Sequence, residues 1–327
     1  MSNLERELAL EFVRVTEAAA LAAARWQGRG DKIGADNAAV TAMRAVFDSV
    51  HVAGEVVIGE GEMDEAPMLY IGERVGCAEK PLVDIAVDPL EGTNIVAKGL
   101  TGAISVLAVS EKGGLLHAPD MYMEKLAVGP AGKGKIDLDA PLEDNLLHLA
   151  KALDKNVADL TVVILDRPRH EPQIAACRRA GVRIQLISDG DVSPAVAAAL
   201  DNSGVDLMVG TGGAPEGVLA AAALKCLGGE MQARLRPETA AEQERAEAMG
   251  VFPVDKLLTM DDLIKTDDVI FAATGISHSS LLNGVLFLPG GAVTYSVVMR
   301  SKTGTVRFVE ARHRFDKKPL AETLTRL

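Results

Sequence analysis

Leu82-Val83-Asp84-Ile85-Ala86-Val87-Asp88-Pro89-Leu90-Glu91-Gly92-Thr93 is the stretch on which the fold turns. Its first six residues are a short apolar run of the kind that fills a buried strand. Pro89 has no N–H to give to a ladder, so the strand is expected to stop there. Gly92 allows a tight turn whose backbone N–H groups face an anion. Asp88 and Glu91, at i and i+3 on that turn, can converge on one hard cation, for which oxygen ligands suit Mg²⁺ or Mn²⁺. The same residues also fit a strand followed by a polar loop with Thr93 capping a helix, and taken alone they favour neither interpretation.

Composition narrows the class. The chain has 327 residues, 48% apolar and 24% charged, as in an ordinary globular protein of one large domain or two packed lobes. Its 34 Lys and Arg against 46 Asp and Glu give a formal net charge of −12. That sign argues against nucleic acid or an anionic membrane as a partner. An anionic substrate then needs local cations or a metal. The start of the chain, with Glu5, Glu7 and Glu11, does not resemble a secretory leader, and no apolar run reaches spanning length, so the cytoplasm is the expected compartment. Cys77, Cys177 and Cys226 lack any Cys-x-x-Cys or His-x-x-x-His companion; they are expected to be buried apolar residues, neither disulfide-bonded nor zinc-binding. Any metal chemistry is therefore carboxylate chemistry.

Leu4, Leu8, Phe12, Val15, Ala19 and Ala22 fall near helical spacing, and Gly28-Arg29-Gly30 ends the pattern. A second helix is expected from near Asp36, then a strand at 55–58 and the acidic turn Gly59-Glu60-Gly61-Glu62-Met63-Asp64. Strands follow at 82–87 and 103–109. Beyond them, 160–165, 182–187 and 205–209 read as short buried strands, each followed by a helical stretch, which predicts βαβ units and a parallel sheet. Further strands are expected at 269–273, 292–299 and 305–309, with a charged helix or linker over 236–249. The lobe boundary is placed near Pro141, giving an N-terminal metal-binding lobe (1–140) and a C-terminal substrate-binding lobe (141–327).

Five motifs taken together go further: Gly59-Glu60-Gly61-Glu62-Met63-Asp64-Glu65-Ala66-Pro67-Met68-Leu69-Tyr70, Asp88-Pro89-Leu90-Glu91-Gly92-Thr93-Asn94, Arg167-Pro168-Arg169-His170, Ser188-Asp189-Gly190-Asp191 and Gly212-Gly213-Ala214-Pro215-Glu216-Gly217. In this order, over nearly the whole chain, they resemble the bacterial class II fructose-1,6-bisphosphatases. The Asp-Pro-Leu-Glu-Gly-Thr core also resembles the wider lithium-sensitive phosphatase superfamily that includes inositol monophosphatases. The resemblance implies a layered αβαβα sugar-phosphatase fold and metal-dependent hydrolysis of the 1-phosphate of fructose-1,6-bisphosphate in gluconeogenesis. Alternatives that stay open are a dual fructose-1,6-/sedoheptulose-1,7-bisphosphatase and a non-catalytic phosphosugar-binding regulator.

The resemblance further implies Asp36, Glu60, Asp88, Glu91 and Glu216 as ligands of two or more Mn²⁺ or Mg²⁺ ions, and a homodimer or homotetramer. Residue by residue each has a simpler role: Asp36 as a helix cap, Glu60 as a solvated charge, Glu216 in the first turn of a helix. Thr93 is implied to position the attacking water, with Asp64 a candidate partner of Thr93 or of that water. Glu91, Gly92 and Thr93 would also touch the transferring phosphate. The sugar and its distal phosphate fall to Tyr122, Arg167, Pro168, Arg169, Asp189, Gly190, Asp191 and Gly213, Arg169 offering a bidentate fork. Lys32 approaches the metal centre or is a surface charge, and no role is assigned to it. Gly210-Thr211-Gly212-Gly213 lacks the Lys of a P-loop and the spacing of a dinucleotide fingerprint, which argues against a nucleotide ligand there.

Overall fold

The computed structural model describes residues 8–61 and 66–317. They form two compact units: one built from the chain up to Gly113 together with the chain from Asp268 onward, the other from Gly114–Asp267.

The first unit opens with α1 (Leu8–Ala24), whose run of small residues from Ala18 lets it lie close against the sheet. In α2 (Lys32–Phe47) the helix starts earlier than Asp36, because Asp31 is its cap and accepts the Gly34 N–H at 2.8 Å. Next come β1 (Ala53–Ile58), β2 (Arg74–Val75), β3 (Leu82–Glu91), α3 (Thr93–Lys98) and β4 (Ile104–Glu111). Pro89 does not end β3, contrary to the sequence expectation. The β3–β4 register passes from Asp88↔Val106 to Glu91↔Ile104, so Pro89 and Leu90 form a bulge where the ladder is interrupted anyway. A proline there costs no cross-strand bond.

The second unit runs β5 (Tyr122–Val128), α4 (Leu142–Ala152), β6 (Thr161–Leu165), α5 (Glu171–Ala180), β7 (Arg183–Ile187), α6 (Val192–Ala197), β8 (Leu207–Gly213), α7 (Ala214–Leu227), β9 (Glu230–Arg236), α8 (Ala240–Ala248) and α9 (Met260–Leu263). Its sheet has the order β7-β6-β8-β5-β9. The three strands read as βαβ units, β6, β7 and β8, are parallel. β5 pairs antiparallel with both β8 and β9, so the sheet is mixed and not wholly parallel.

The chain then returns to the first unit through β10 (Val269–Gly275), β11 (Leu286–Leu288), β12 (Gly291–Arg300) and β13 (Thr305–Arg314). The first sheet has the order β11-β12-β10-β4-β3-β1-β2, with β13 on β12. This division differs from the boundary expected near Pro141. Pro141 directly precedes α4 inside the second unit, and the last strands complete the first unit because β10 pairs along β4 from Val269↔Ser110 to Gly275↔Ile104. Such a long-range pairing leaves no mark in local composition.

Each unit has its own core. Phe12, Leu21, Met43, Phe47, Ile85 and Leu107 fill one, and Leu146, Leu149, Val162, Ile164 and Leu207 the other. Both combine sheet and helix layers, the mixed α/β architecture that the resemblance implies. Cys177 and Cys226 are buried as expected, and burial pushes the Cys177 thiol up to about 11; Cys77, by contrast, is exposed. No helix among the described residues is long and apolar enough to cross a membrane.

Candidate active site

In the first unit, β1 and β3 are parallel, with Ile58 level with Ala86. Their C-terminal ends therefore share one edge of the sheet. Glu60 leaves β1 two residues past Ile58, and Asp88 lies two residues past Ala86, with Glu91 closing the strand. Asp36 sits on α2, which packs against β3 and α3, and burial pushes its carboxyl above the ordinary value. Glu91 is buried, and Asp88 accepts the Leu90 N–H at 3.1 Å. Gly92 takes a left-handed φ of 93° to turn the chain out of β3, and a Cβ there would lie 3.1 Å from Ile95. The turn thus demands glycine. Gly92, and not Thr93, is the cap residue of α3; Thr93 is its first residue. Lys32 is exposed at the start of α2. Among the described residues no three His, Cys, Asp or Glu side chains are grouped closely enough to hold a metal ion. Asp64 lies outside the described residues.

In the second unit the C-terminal ends of β6, β7 and β8 also share an edge, and β5 begins there, Tyr122 facing Gly213. This brings together nearly every residue expected to meet the sugar. Arg169 is exposed, donates from Nε and Nη2 to the Thr211 carbonyl at 3.0 and 2.7 Å, and stacks on Tyr122 with Cζ 4.8 Å from the ring centroid. Arg167 lies 3.9 Å from Asp189, which stays partly open to solvent. Pro168 opens the short turn that carries Arg169, and Gly190 turns with φ 75° between the two aspartates. Asp191 faces inward: it is buried, with Oδ2 2.6 Å from Nζ of Lys125. Glu216 stands in the first turn of α7, so close to Gly213 that a Cβ on that glycine would lie 1.9 Å from Oε2.

The family model described as bacterial fructose-1,6-bisphosphatase, glpX-encoded, matches residues 6–313. The chain belongs to this family. It is 49% identical to fructose-1,6-bisphosphatase 1 class 2 of Escherichia coli (strain K12), covering 96% of this chain and 97% of the relative. Over the same shares it is 47% and 48% identical to D-fructose 1,6-bisphosphatase class 2/sedoheptulose 1,7-bisphosphatase of Synechococcus sp., strains JA-3-3Ab and JA-2-3B'a(2-13).

Two residues of this bisphosphatase-family site escape a reading of the sequence. Lys125 is fully buried in β5, where it pairs with Asp191 and donates to the Gly213 carbonyl at 2.8 Å. The available signal was the alternation Met123, Lys125, Ala127, which sets a lysine on an otherwise apolar strand face. His170, also fully buried, belongs to a quoted motif but received no role. Its Nε2 accepts the Thr211 N–H at 2.8 Å, so Nδ1 carries the proton and donates to Leu165 O at 2.7 Å. Burial keeps this imidazole below its ordinary pKa of 6.5. The stability contributed by the neutral ring is complete above that value and is lost as pH falls below it.

Glu216 provides the test of whether a cation fits. Its Oε2 is buried without a hydrogen-bond partner, and burial raises its pKa despite the nearby Lys125. A buried carboxylate oxygen lacking a donor suits a divalent ion. In chelator-treated protein at neutral pH, Glu216→Gln is expected to raise Tm, because it removes a charge that burial penalises. The gain shrinks as pH falls toward the ordinary glutamate value of 4.5 and vanishes below it, where the side chain is neutral both folded and unfolded. Added Mn²⁺ should raise the Tm of the wild type much more than that of the variant. A variant less stable than the wild type in chelator, across this pH range, would reject the explanation.

Proposed function

We propose that this chain hydrolyses the 1-phosphate of fructose-1,6-bisphosphate, releasing fructose-6-phosphate and phosphate in gluconeogenesis, with Asp36, Glu60, Asp88, Glu91 and Glu216 holding Mn²⁺ or Mg²⁺. The divalent ions supply positive charge to the phosphoryl oxygens and acidify water. Gly92 and Thr93 hold the transferring phosphate through their N–H groups, and the Thr93 hydroxyl orients the attacking water. Asp64 partners Thr93 or that water. In the second unit Arg169 grips the distal phosphate with Arg167 beside it, while Tyr122 and Asp189 face the sugar and Asp191 borders it.

The observation that carries the substrate assignment is the collection of Tyr122, Arg167, Arg169 and Asp189 at one strand edge. Two guanidinium groups at this edge suit a second phosphate, which a monophosphatase does not need. Arg169 spends two of its five N–H donors on Thr211, which fixes the fork and leaves the others for a ligand. The names of the Synechococcus relatives support sedoheptulose-1,7-bisphosphate as a second substrate.

Arg169→Ala tests this through phosphate release from fructose-1,6-bisphosphate, sedoheptulose-1,7-bisphosphate and fructose-1-phosphate. KM for both bisphosphates should rise about tenfold to fiftyfold, toward the lower end because Arg169 is exposed. Fructose-1-phosphate has no distal phosphate to lose, so its poor turnover should barely change. Equal weakening of all three substrates, or of none, removes Arg169 as the reader of that phosphate.

A further inference from the structure

Where β6 and β8 reach the substrate edge, their backbone pairing has already stopped. The ladder carries Val162↔Leu207 and Val163↔Met208 and no later pair. The Leu165 carbonyl and the Thr211 N–H lie beyond it, and each must find a partner if the strand ends are to stay in register. The His170 ring meets both, accepting from Thr211 through Nε2 and donating through Nδ1 to the Leu165 carbonyl, which also takes the Arg167 N–H at 2.9 Å. The Leu165 bond closes the loop that presents Arg167 and Arg169, and the Thr211 bond ties that closed loop to β8.

Thr211 is also the residue whose carbonyl takes both bonds from Arg169. Its peptide N–H and C=O are therefore held on two sides, by the buried ring and by the exposed guanidinium. Gly210 leaves room for this arrangement: it has φ 153°, and a Cβ there would come within 3.1 Å of His170 Nε2. Around the ring the charged neighbours are Arg169 and Asp191, of opposite sign. No protonated imidazole can accept the Thr211 N–H, so the clamp requires the neutral ring.

We infer that His170 is a positioning residue for substrate recognition, a neutral imidazole bridge that replaces the missing β6–β8 pairing and holds the Thr211 carbonyl where it orients Arg169 toward the distal phosphate. This rests on the assignment of Arg169 to that phosphate. His170 touches neither substrate nor reacting atoms, and its effect passes through Thr211 and Arg169.

The experiment measures kcat and KM for fructose-1,6-bisphosphate in His170→Gln and Gly210→Ala, each alone and combined with Arg169→Ala. The glutamine can keep only one of the two ring bonds, and the alanine crowds the ring without deleting it. Each single variant should raise KM about fivefold to tenfold, as one lost hydrogen bond would, with a much smaller fall in kcat. In the Arg169→Ala background the further rise should be less than about twofold, since the arm being positioned is gone. An unchanged KM in both folded single variants overturns the inference, and so does a rise of equal size with and without Arg169. If Arg169→Ala itself leaves KM unchanged, the assignment of Arg169 fails and takes the bridge with it. If Arg169→Ala raises KM and neither His170→Gln nor Gly210→Ala does, the bridge alone fails. Near-UV circular dichroism reports folding; loss of the fold in both variants, with Arg169→Ala intact, makes His170 purely structural and also overturns the inference.

Discussion

Glu91→Gln is expected to leave a folded protein whose kcat/KM for fructose-1,6-bisphosphate is lower by on the order of 10²-fold or more. Glutamine has nearly the shape of glutamate, so the buried end of β3 and its bulge should survive the change. What it lacks is the negative charge, and with it the affinity for a hard divalent ion. Chelation of the wild type should reproduce the loss, with Mn²⁺ or Mg²⁺ restoring the wild type and failing to restore the variant at comparable concentration. Phosphate release in the presence of excess EDTA, followed by titration with each ion, decides the matter. Full activity in the chelator would end the metal mechanism; a variant that loses activity together with its thermal transition would show damage to β3 and say nothing for ligation.

Local pattern made some of this architecture legible and left the rest hidden. The parallel strands β6, β7 and β8 were visible because each run rich in apolar residues is followed within a few residues by a helical stretch, although β7, expected to be buried, is an edge strand whose residues are exposed or half-buried. β5 and β9 were invisible because Glu124, Lys125, Arg234 and Arg236 interrupt them. Those charges are tolerated because Lys125 finds Asp191 and Arg236 finds Glu124, and both pairings depend on the folded chain. The end of β3 was misread for a related reason: a proline forbids a ladder bond, but a bulge withdraws the demand for one. The two compact units divide the chain elsewhere than near Pro141 because β10, far along the sequence, pairs with β4. Of the site, the motifs located the residues at two strand edges, and the buried supports Lys125 and His170 came only from their partners in space.

Thr93→Ala should lower kcat by about 10²-fold while changing KM little, the second large effect expected of this chain. Thr93 follows the left-handed Gly92 at the start of α3, and its Oγ1 lies 3.4 Å from the Leu90 carbonyl. That is long for a hydroxyl bond, whose ordinary separation is about 2.7–2.8 Å. The hydroxyl is thus placed by the backbone turn while being only weakly engaged by it, and it can turn to water. An interaction with the attacking water gains its value as that water reaches phosphorus, and the resting substrate complex gains little from it. Truncation should therefore appear in kcat. The N–H of residue 93 remains in the alanine variant, so the grip on phosphate persists and KM should hold. Thr93→Ser restores the hydroxyl and should recover most of the rate, a rescue that a merely structural methyl contact would not give. A wild-type kcat in Thr93→Ala removes the residue from the chemical step; a raised KM at unchanged kcat moves it to substrate binding, and leaves the orientation of water to a group other than Thr93.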